Sequence, residues 1–373
     1  MSERIGWGDL WRDAGRVRSR RAFGFTVPNT YTVYGAVAIK TSASSCFRQA
    51  GQAKCLGVVR RSEIFTAHQD VARSVGRHSQ PSPYLNTVQP IFQRTFRHSS
   101  PDFSMELALS AEQLERYSRH IMLDDVGPEG QAKLLDSSVL VVGAGGLGAP
   151  VLQYLAAAGV GRIAVADDDD VERSNLQRQV IHTTDNIGRP KVESAAAFVQ
   201  GLNPDIGVEQ HNTRVRPDNV NSLISGHDVV VDASDNFPTR FLLNDACVLA
   251  DIPLSHGAVY RFEGQAATFR GGQPCYRCLF PEAPPDGAVP DCSTAGVLGV
   301  LPGTIGAIQA TEVLKLLLGE GEPLDGLFLY DAASLTAETV PLRANPDCPI
   351  CGDHPIIDSV ADGEYHGSCA LGD

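Results

Sequence analysis

Short apolar runs that stop at glycine or aspartate recur through the second two-thirds of the chain. Residues 138–142 read Ser-Val-Leu-Val-Val and end at Gly143. Such a run, too short for a helix and apolar on both faces, predicts a buried parallel strand. Residues 162–167, 207–211 and 228–233 repeat the signal, alternating with helical patterns near 148–158, 190–200 and 238–250. Further strands are predicted near 253–260, 264–269 and 326–330. The pattern predicts an α/β fold: a doubly wound, Rossmann-like sheet with an antiparallel extension. Residues 297–319 are the most apolar stretch, but Pro302, Gln309, Glu312 and Lys315 interrupt it. It reads as a turn followed by a buried helix over 306–318, and no segment reads as a membrane span. Residues 1–104 show no convincing run of either periodicity.

Chemistry enters where the first strand ends. Gly143, Gly145 and Gly148 fit G-x-G-x-x-G, with Gly146 added. Glycine lets the backbone approach a phosphate, and the helix that follows offers its positive end. Asp167 closes the next strand, where an acid can bind ribose hydroxyls. An NAD-dependent oxidoreductase and an ATP-using enzyme are equally served to this point. Arg178, Lys191 and Asp235 favour the second, because cations neutralise phosphoryl charge and a carboxylate holds Mg²⁺. Taken singly, Arg178 or Lys191 is an ordinary solvated charge on a helix.

Two C-x-x-C pairs lie far apart, Cys275 with Cys278 and Cys348 with Cys351. Four thiolates from two tight knuckles fit a closed tetrahedral zinc site that is structural, since no position stays open for water. The competing reading is a pair of disulfides or buried thiols, and a non-catalytic zinc scaffold would need neither Asp235 nor Arg119. Cys247 sits in a helical pattern and reads as packed core, while Cys46, Cys55 and Cys369 carry no reading.

The run Gly-Ala-Gly-Gly-Leu-Gly, the pair Asp167-x-Asp169, Ser174-Asn-Leu-Gln-Arg-Gln179, Pro190-Lys191, Ser234-Asp-Asn236, Arg261-Phe-Glu-Gly-Gln265 and the two knuckles together resemble the MoeB/ThiF/HesA adenylyltransferases. These are prokaryotic relatives of ubiquitin-activating enzymes. The likeness spans roughly residues 106–356 and is strongest to haloarchaeal activators of small ubiquitin-like modifiers. It implies that Mg·ATP and the C-terminal Gly-Gly carboxylate of a β-grasp ubiquitin-like or sulfur-carrier protein react to an acyl-adenylate and pyrophosphate. It implies that Gly146 lines the nucleotide and Asp167 binds its ribose. The run Ser174, Asn175, Leu176, Gln177 and Arg178 would hold the nucleotide, with Asn175, Arg178 and Lys191 on phosphates. Asp235 would bind Mg²⁺ beside Asn236. Arg119 would reach the partner subunit's ATP in a homodimer, adding a third cation to Arg178 and Lys191. Cys292, outside both knuckles, would be the nucleophilic cysteine that attacks the adenylate or carries persulfide sulfur. A spare thiol or a displaced zinc ligand is its alternative, because Asp291 would raise its pKa. A tRNA threonylcarbamoyladenosine dehydratase-type enzyme is a further adenylating alternative. Little chain follows the second knuckle, which implies a separate sulfur donor. Thiocarboxylate formation for molybdopterin or tRNA thiolation and protein conjugation both stay open as outcomes.

The net charge of −13 hides a division. Residues 1–104 carry 15 Lys+Arg against 6 Asp+Glu, and residues 105–373 carry 16 against 38. The acidic part suits high salt and argues against nucleic acid as the main ligand. The basic part resembles a nucleic-acid arm or a transit segment in composition. Ser19-Arg-Arg-Ala-Phe23 imitates a twin-arginine signal, but no apolar region follows. The expected organisation is a basic extension over 1–104, disordered or outside the true reading frame, with translation starting at Met105. A catalytic domain with its knuckle then covers 105–360, and a flexible tail covers 361–373. ATP use and thiolate zinc place it in the cytoplasm.

Overall fold

The computed structural model describes residues 109–283 and 296–365 in full, and residues 31–34 and 37–40 by their backbone. The chain divides into two units, 1–104 and 105–373. In the first, β1 (Tyr31–Tyr34) and β2 (Val37–Lys40) pair antiparallel, from Tyr31 opposite Lys40 to Tyr34 opposite Val37. This corrects the expectation of no strand in this part. The two segments are rich in aromatic and β-branched residues and are separated by two residues, the length of a tight hairpin.

The second unit opens with α1 (Ala111–Arg116), α2 (Ser118–Ile121) and α3 (Gly127–Asp136). A capping box starts α1, Gln113 N–H donating to Ser110 Oγ while the Gln113 side chain accepts from Ser110 N–H. Then come β3 (Ser138–Val142), α4 (Gly148–Ala158), β4 (Arg162–Ala166), α5 (Lys191–Leu202), β5 (Gly207–His211), α6 (Val220–Ile224) and β6 (Val229–Asp232). They are followed by α7 (Phe237–Ala250), β7 (Leu254–Tyr260), β8 (Glu263–Phe269), α8 (Tyr276–Leu279), α9 (Val300–Leu318), β9 (Leu327–Asp331) and β10 (Thr336–Val340).

Among the described residues of the second unit the strands form one eight-stranded sheet in the order β10-β9-β8-β7-β6-β3-β4-β5. Pairings from β5 through β7 are parallel, and β7-β8-β9-β10 is antiparallel. The chain winds one way through β3, α4 and β4 and the other through β6, α7 and β7. The switch point therefore lies between β3 and β6, where open sheets of this kind bind ligands. Helix α4 packs against both α5 and α9, and α9 also against α3, while α7 packs on α6 and on β6 and β7. The core is drawn from β3, β4, α4 and α9, all of which carry fully buried Val, Leu, Ile or Ala.

Two details depart from the sequence reading. Helix α9 begins at Val300, with Pro302 inside its first turn, where a missing N–H breaks no helical bond. Strand β10 extends the sheet beyond the predicted edge, and its residues are mostly exposed, which leaves no apolar alternation to read. Tyr365, assigned by sequence to the tail, donates to Asp245 Oδ2 at 3.0 Å, so ordered contacts continue past residue 360.

Candidate active site

The carboxyl ends of β3, β4, β5 and β6 open into one cleft. Its wall includes Gly143, Gly145, Gly146, Asp167 to Asp169, Arg178, Gln179, Lys191, Thr213, Arg214, Asp235 and Asn236. Close packing dictates two glycines. A Cβ at Gly148 would sit 1.9 Å from the Gly143 carbonyl oxygen, and one at Gly143, where φ is +100°, would sit 2.6 Å from that of Ala233. Gly145 differs. A Cβ there would meet only Gln179 Nε2, at 3.6 Å, so the space it leaves empty belongs to the cleft. That space lies just ahead of the amino end of α4, which suits a phosphate group.

Asp167 anchors the glycine turn. One carboxylate oxygen accepts from Ala144 N–H at 2.7 Å and the other from Asp169 N–H at 2.9 Å. Burial raises its pKa above the usual carboxylate value, against the pull of Lys191 and those two N–H groups. Lys191 is 6 % exposed and is the first residue of α5. A cation at the positive end of a helix is unfavourable by itself. Three carboxylates hold it: Asp169 at 2.6 Å, Asp167 at 4.0 Å, and the field of Asp235 across the cleft. Burial opposes its charge, but these acids raise its pKa above that of an ordinary lysine. Lys191 is thus a fixed cation, held in place before any ligand arrives.

Of the sequence-predicted residues, Gly146, Asp167, Arg178, Lys191, Asp235 and Asn236 meet in this cleft. Asn236 also caps α7, accepting from Thr239 N–H at 3.0 Å. Ser174, Asn175, Leu176 and Gln177 do not line it. Asn175 Oδ1 accepts from Glu172 N–H, Ser174 Oγ donates to Glu172, and the exposed Gln177 packs beside Gly299. Their turn instead carries Arg178 to the wall, where its guanidinium donates to Ser174 O at 3.1 Å. Arg119 is exposed on α2, away from the cleft. Cys292 lies outside the described residues.

Sequence reasoning missed three contributors. Arg214 follows β5 onto the wall, so the third cation expected from Arg119 has a same-chain alternative. Gln179 is 3 % exposed and its Oε1 has no partner, a buried polar atom facing the cleft. His182 bonds Ala144 O through Nε2 at 2.9 Å and Ser194 Oγ through Nδ1 at 2.8 Å. Burial lowers its pKa, so a neutral ring braces the glycine turn from behind. Only Gln179 carried a signal, as the last residue of a motif already noted.

The four knuckle cysteines converge as expected. All are free thiols, and neighbouring sulfurs lie 3.3–3.6 Å apart. Disulfide sulfurs stand at about 2 Å, whereas a tetrahedron with metal–sulfur bonds of roughly 2.3 Å has edges near 3.8 Å. The cluster could hold a metal ion. Burial, with the charge of Cys348, pushes the Cys275 thiol up to about 12. Burial opposes the Cys278 thiolate too, but N–H groups, led by Asn345 at 3.4 Å, bring that thiol below its ordinary value. Cys247 is buried in α7, and burial raises its thiol, which fits packed core.

The family model described as the ThiF family matches residues 117–350. The chain belongs to the ThiF family. This ThiF-family chain is 66 % identical over 268 residues to the SAMP-activating enzyme E1 of Haloferax volcanii, covering 72 % of this chain and 99 % of that protein. It is 52 % identical over 267 residues to the sulfur carrier protein adenylyltransferase of Thermus thermophilus, covering 70 % and 98 %. With adenylyltransferase and sulfurtransferase MOCS3-1 of Zea mays it shares 48 % over 259 residues, covering 69 % of this chain and 55 % of that protein. Among solved structures, E. coli MccB with MccA-N7isoASN shares the fold at a TM-score of 0.58 and 21 % identity, covering 74 % and 83 %. The chain is an adenylyltransferase of an ATP-using family.

Proposed function

We propose that this enzyme adenylates the C-terminal Gly-Gly carboxylate of a β-grasp ubiquitin-like or sulfur-carrier protein. The observation that carries the reading is the meeting of Asp167, Arg178, Lys191 and Asp235 around an open glycine turn at the sheet's switch point. The partner's carboxylate oxygen attacks the α-phosphorus of ATP. The bond from the α-phosphorus to the α,β-bridging oxygen breaks, and pyrophosphate departs with the electron pair. The nucleophile is already ionised, so no base is required; the site must align the groups and neutralise charge. Asp167 positions the ribose, Lys191, Arg178 and Arg214 face the phosphates, and Asp235 with Asn236 stands at the cation side. Bound Mg²⁺ would supply further neutralisation of phosphate charge from the Asp235 side. The four cysteines suit Zn²⁺, which would fix the knuckle's fold.

Cys292 stands five positions before Val297, which lines the cleft. We assign it the later thiol step. Exposed Arg119 acts across a homodimer, a sulfur donor is a separate protein, and the catalytic unit, expected over residues 105–360 and extended by the contact of Tyr365, works in the cytoplasm. ATP–pyrophosphate exchange tests the core reading. Exchange should rise on adding a β-grasp protein ending in Gly-Gly and stay at background with that protein truncated by two residues. Exchange unaffected by the partner, or stimulated by tRNA instead, would reject it.

A further inference from the structure

Helix α7 runs from the cleft to the knuckle, and buried side chains join the two ends. At the far end Asn244 Oδ1 accepts from Tyr276 N–H at 2.8 Å. Beside it Asp245 takes two bonds from Arg277, each 2.7 Å. Residues 236, 240 and 244 fall four apart, on one face of the helix. The middle one, Arg240, is 6 % exposed. Its guanidinium donates to Ser234 O at 3.3 Å and lies 5.2 Å from the Phe237 ring, and its Nε finds no partner. Tyr276, between the first two cysteines, is wholly buried, and its hydroxyl faces that guanidinium, interacting with it without the geometry of a regular hydrogen bond.

A second route runs in parallel. The Tyr276 ring lies 4.9 Å from the ring of His256, whose Nδ1–H donates to Asp232 Oδ2 at 2.7 Å. Asp232 Oδ1 in turn accepts from Ser234 N–H at 3.0 Å and Oγ–H at 2.6 Å. Burial lowers the His256 pKa, and the bond from His256 together with the field of Arg240 stabilises the buried Asp232 carboxylate. Both routes end on Ser234, the residue before Asp235.

We propose that Arg240 and Tyr276 are positioning residues that carry the knuckle's shape to the Ser234–Asn236 turn and so aim Asp235 into the cleft. Neither touches substrate. The inference rests on the reading of Asp235 as a nucleotide-side group, and the experiment separates the two. Arg240→Lys keeps the charge but loses the fork that reaches Ser234, and Tyr276→Phe keeps the ring but loses the hydroxyl. Each variant is compared with Asp235→Ala for metal content, thermal midpoint, ATP binding as Mg²⁺ is varied, and pyrophosphate exchange. Arg240→Lys should keep its metal, lower exchange kcat about tenfold, and need several times more Mg²⁺ for half-maximal ATP binding. Tyr276→Phe should shift the same two quantities in the same direction by about twofold. Folded variants with wild-type Mg²⁺ dependence, while Asp235→Ala abolishes exchange, overturn the relay alone. An Asp235→Ala enzyme with full exchange overturns the reading beneath it. If kcat falls only as far as metal and thermal midpoint fall, the residues are merely structural and the proposal fails. Should Arg240→Lys not fold, Tyr276→Phe decides.

Discussion

The two ends of α7 are built on opposite plans. At the knuckle end, Asp245 is fully buried and every oxygen it offers is used, by Arg277, Tyr365 and Asn244. At the cleft end, Asp235 is exposed, and Lys191 is held by acids that a phosphate would displace or share. A saturated buried network fixes one conformation, because each broken bond strands a buried polar atom. A partly satisfied, open one keeps binding energy in reserve for a ligand. The contrast locates rigidity and chemistry on one helix about 20 Å long, at roughly 1.5 Å per residue.

Removing a knuckle ligand should give the largest effect. Cys348→Ser is expected to lose metal and soluble protein together, since metal binding in such clusters contributes on the order of 10 kcal/mol to folding. Elemental analysis alongside expression checks this; a well-folded wild-type chain with no zinc would erase the contrast at its structural end. Next comes the cleft. Asp235→Ala should cut pyrophosphate exchange by about 10²–10³ and leave the melting temperature where it was, because the side chain is exposed. Cys292→Ser should keep exchange and lose thioester or persulfide formation. Equal loss of exchange in both would place Cys292 in the first step.

Subunit sharing gives a smaller signal. Arg119→Ala mixed and exchanged with Asp235→Ala should recover up to roughly a quarter of wild-type activity, because half the dimers carry one intact site. Arg214 sharpens this test. If verified heterodimers recover nothing, the cations of one chain suffice, with Arg214 completing the set. Smallest is the pH dependence of stability. Burial lowers the pKa of His182, His227 and His256 in the folded state. Below the unfolded value of about 6.5 the unfolded chain binds protons that the folded chain refuses. Stability is therefore full above about pH 7 and declines as pH falls, by up to roughly 1.4 kcal/mol per pH unit for each histidine. Denaturant melts between pH 7.5 and 5.5, with metal content tracked, measure it. A flat profile would show that these rings take up protons as readily in the folded chain as in the unfolded one.

How much could be read beforehand follows from what each residue answers to. β3, β4 and β6 were legible because strands buried on both faces leave uninterrupted apolar runs. The knuckles were legible because two thiolates on one turn need fixed spacing. Asp167 and Asp235 were legible as cleft residues because charge just past the carboxyl end of an apolar strand is costly without a use, and Lys191 because a cation at the start of a helix needs acids or a ligand to hold it. β10 was not, since an exposed edge strand has no apolar face to reveal it. The start of α9 was misplaced because proline breaks helices everywhere except the first turn. Arg214 and His182 were invisible because only the folded sheet brings the end of β5 and the turn before α5 beside the glycine loop. Ser174 and Asn175, which the likeness assigns to the nucleotide, bond within their own turn, a local preference of short polar side chains.

The four sulfurs also change the connectivity of the chain. Cys275 and Cys348 stand 73 residues apart and meet at 3.6 Å. An ion gripping both pairs would turn everything between them, including α9, β9 and β10, into a closed ring. By chain entropy a cross-link around a ring of that size contributes about 4 kcal/mol. New ends could then be opened between Cys278 and Val300 without parting the halves, for the metal would hold them as one body. Stripped of that ion, the same cut chain should be held by the packing of α9 and the pairing of β9 with β8 alone, and so melt at a lower temperature.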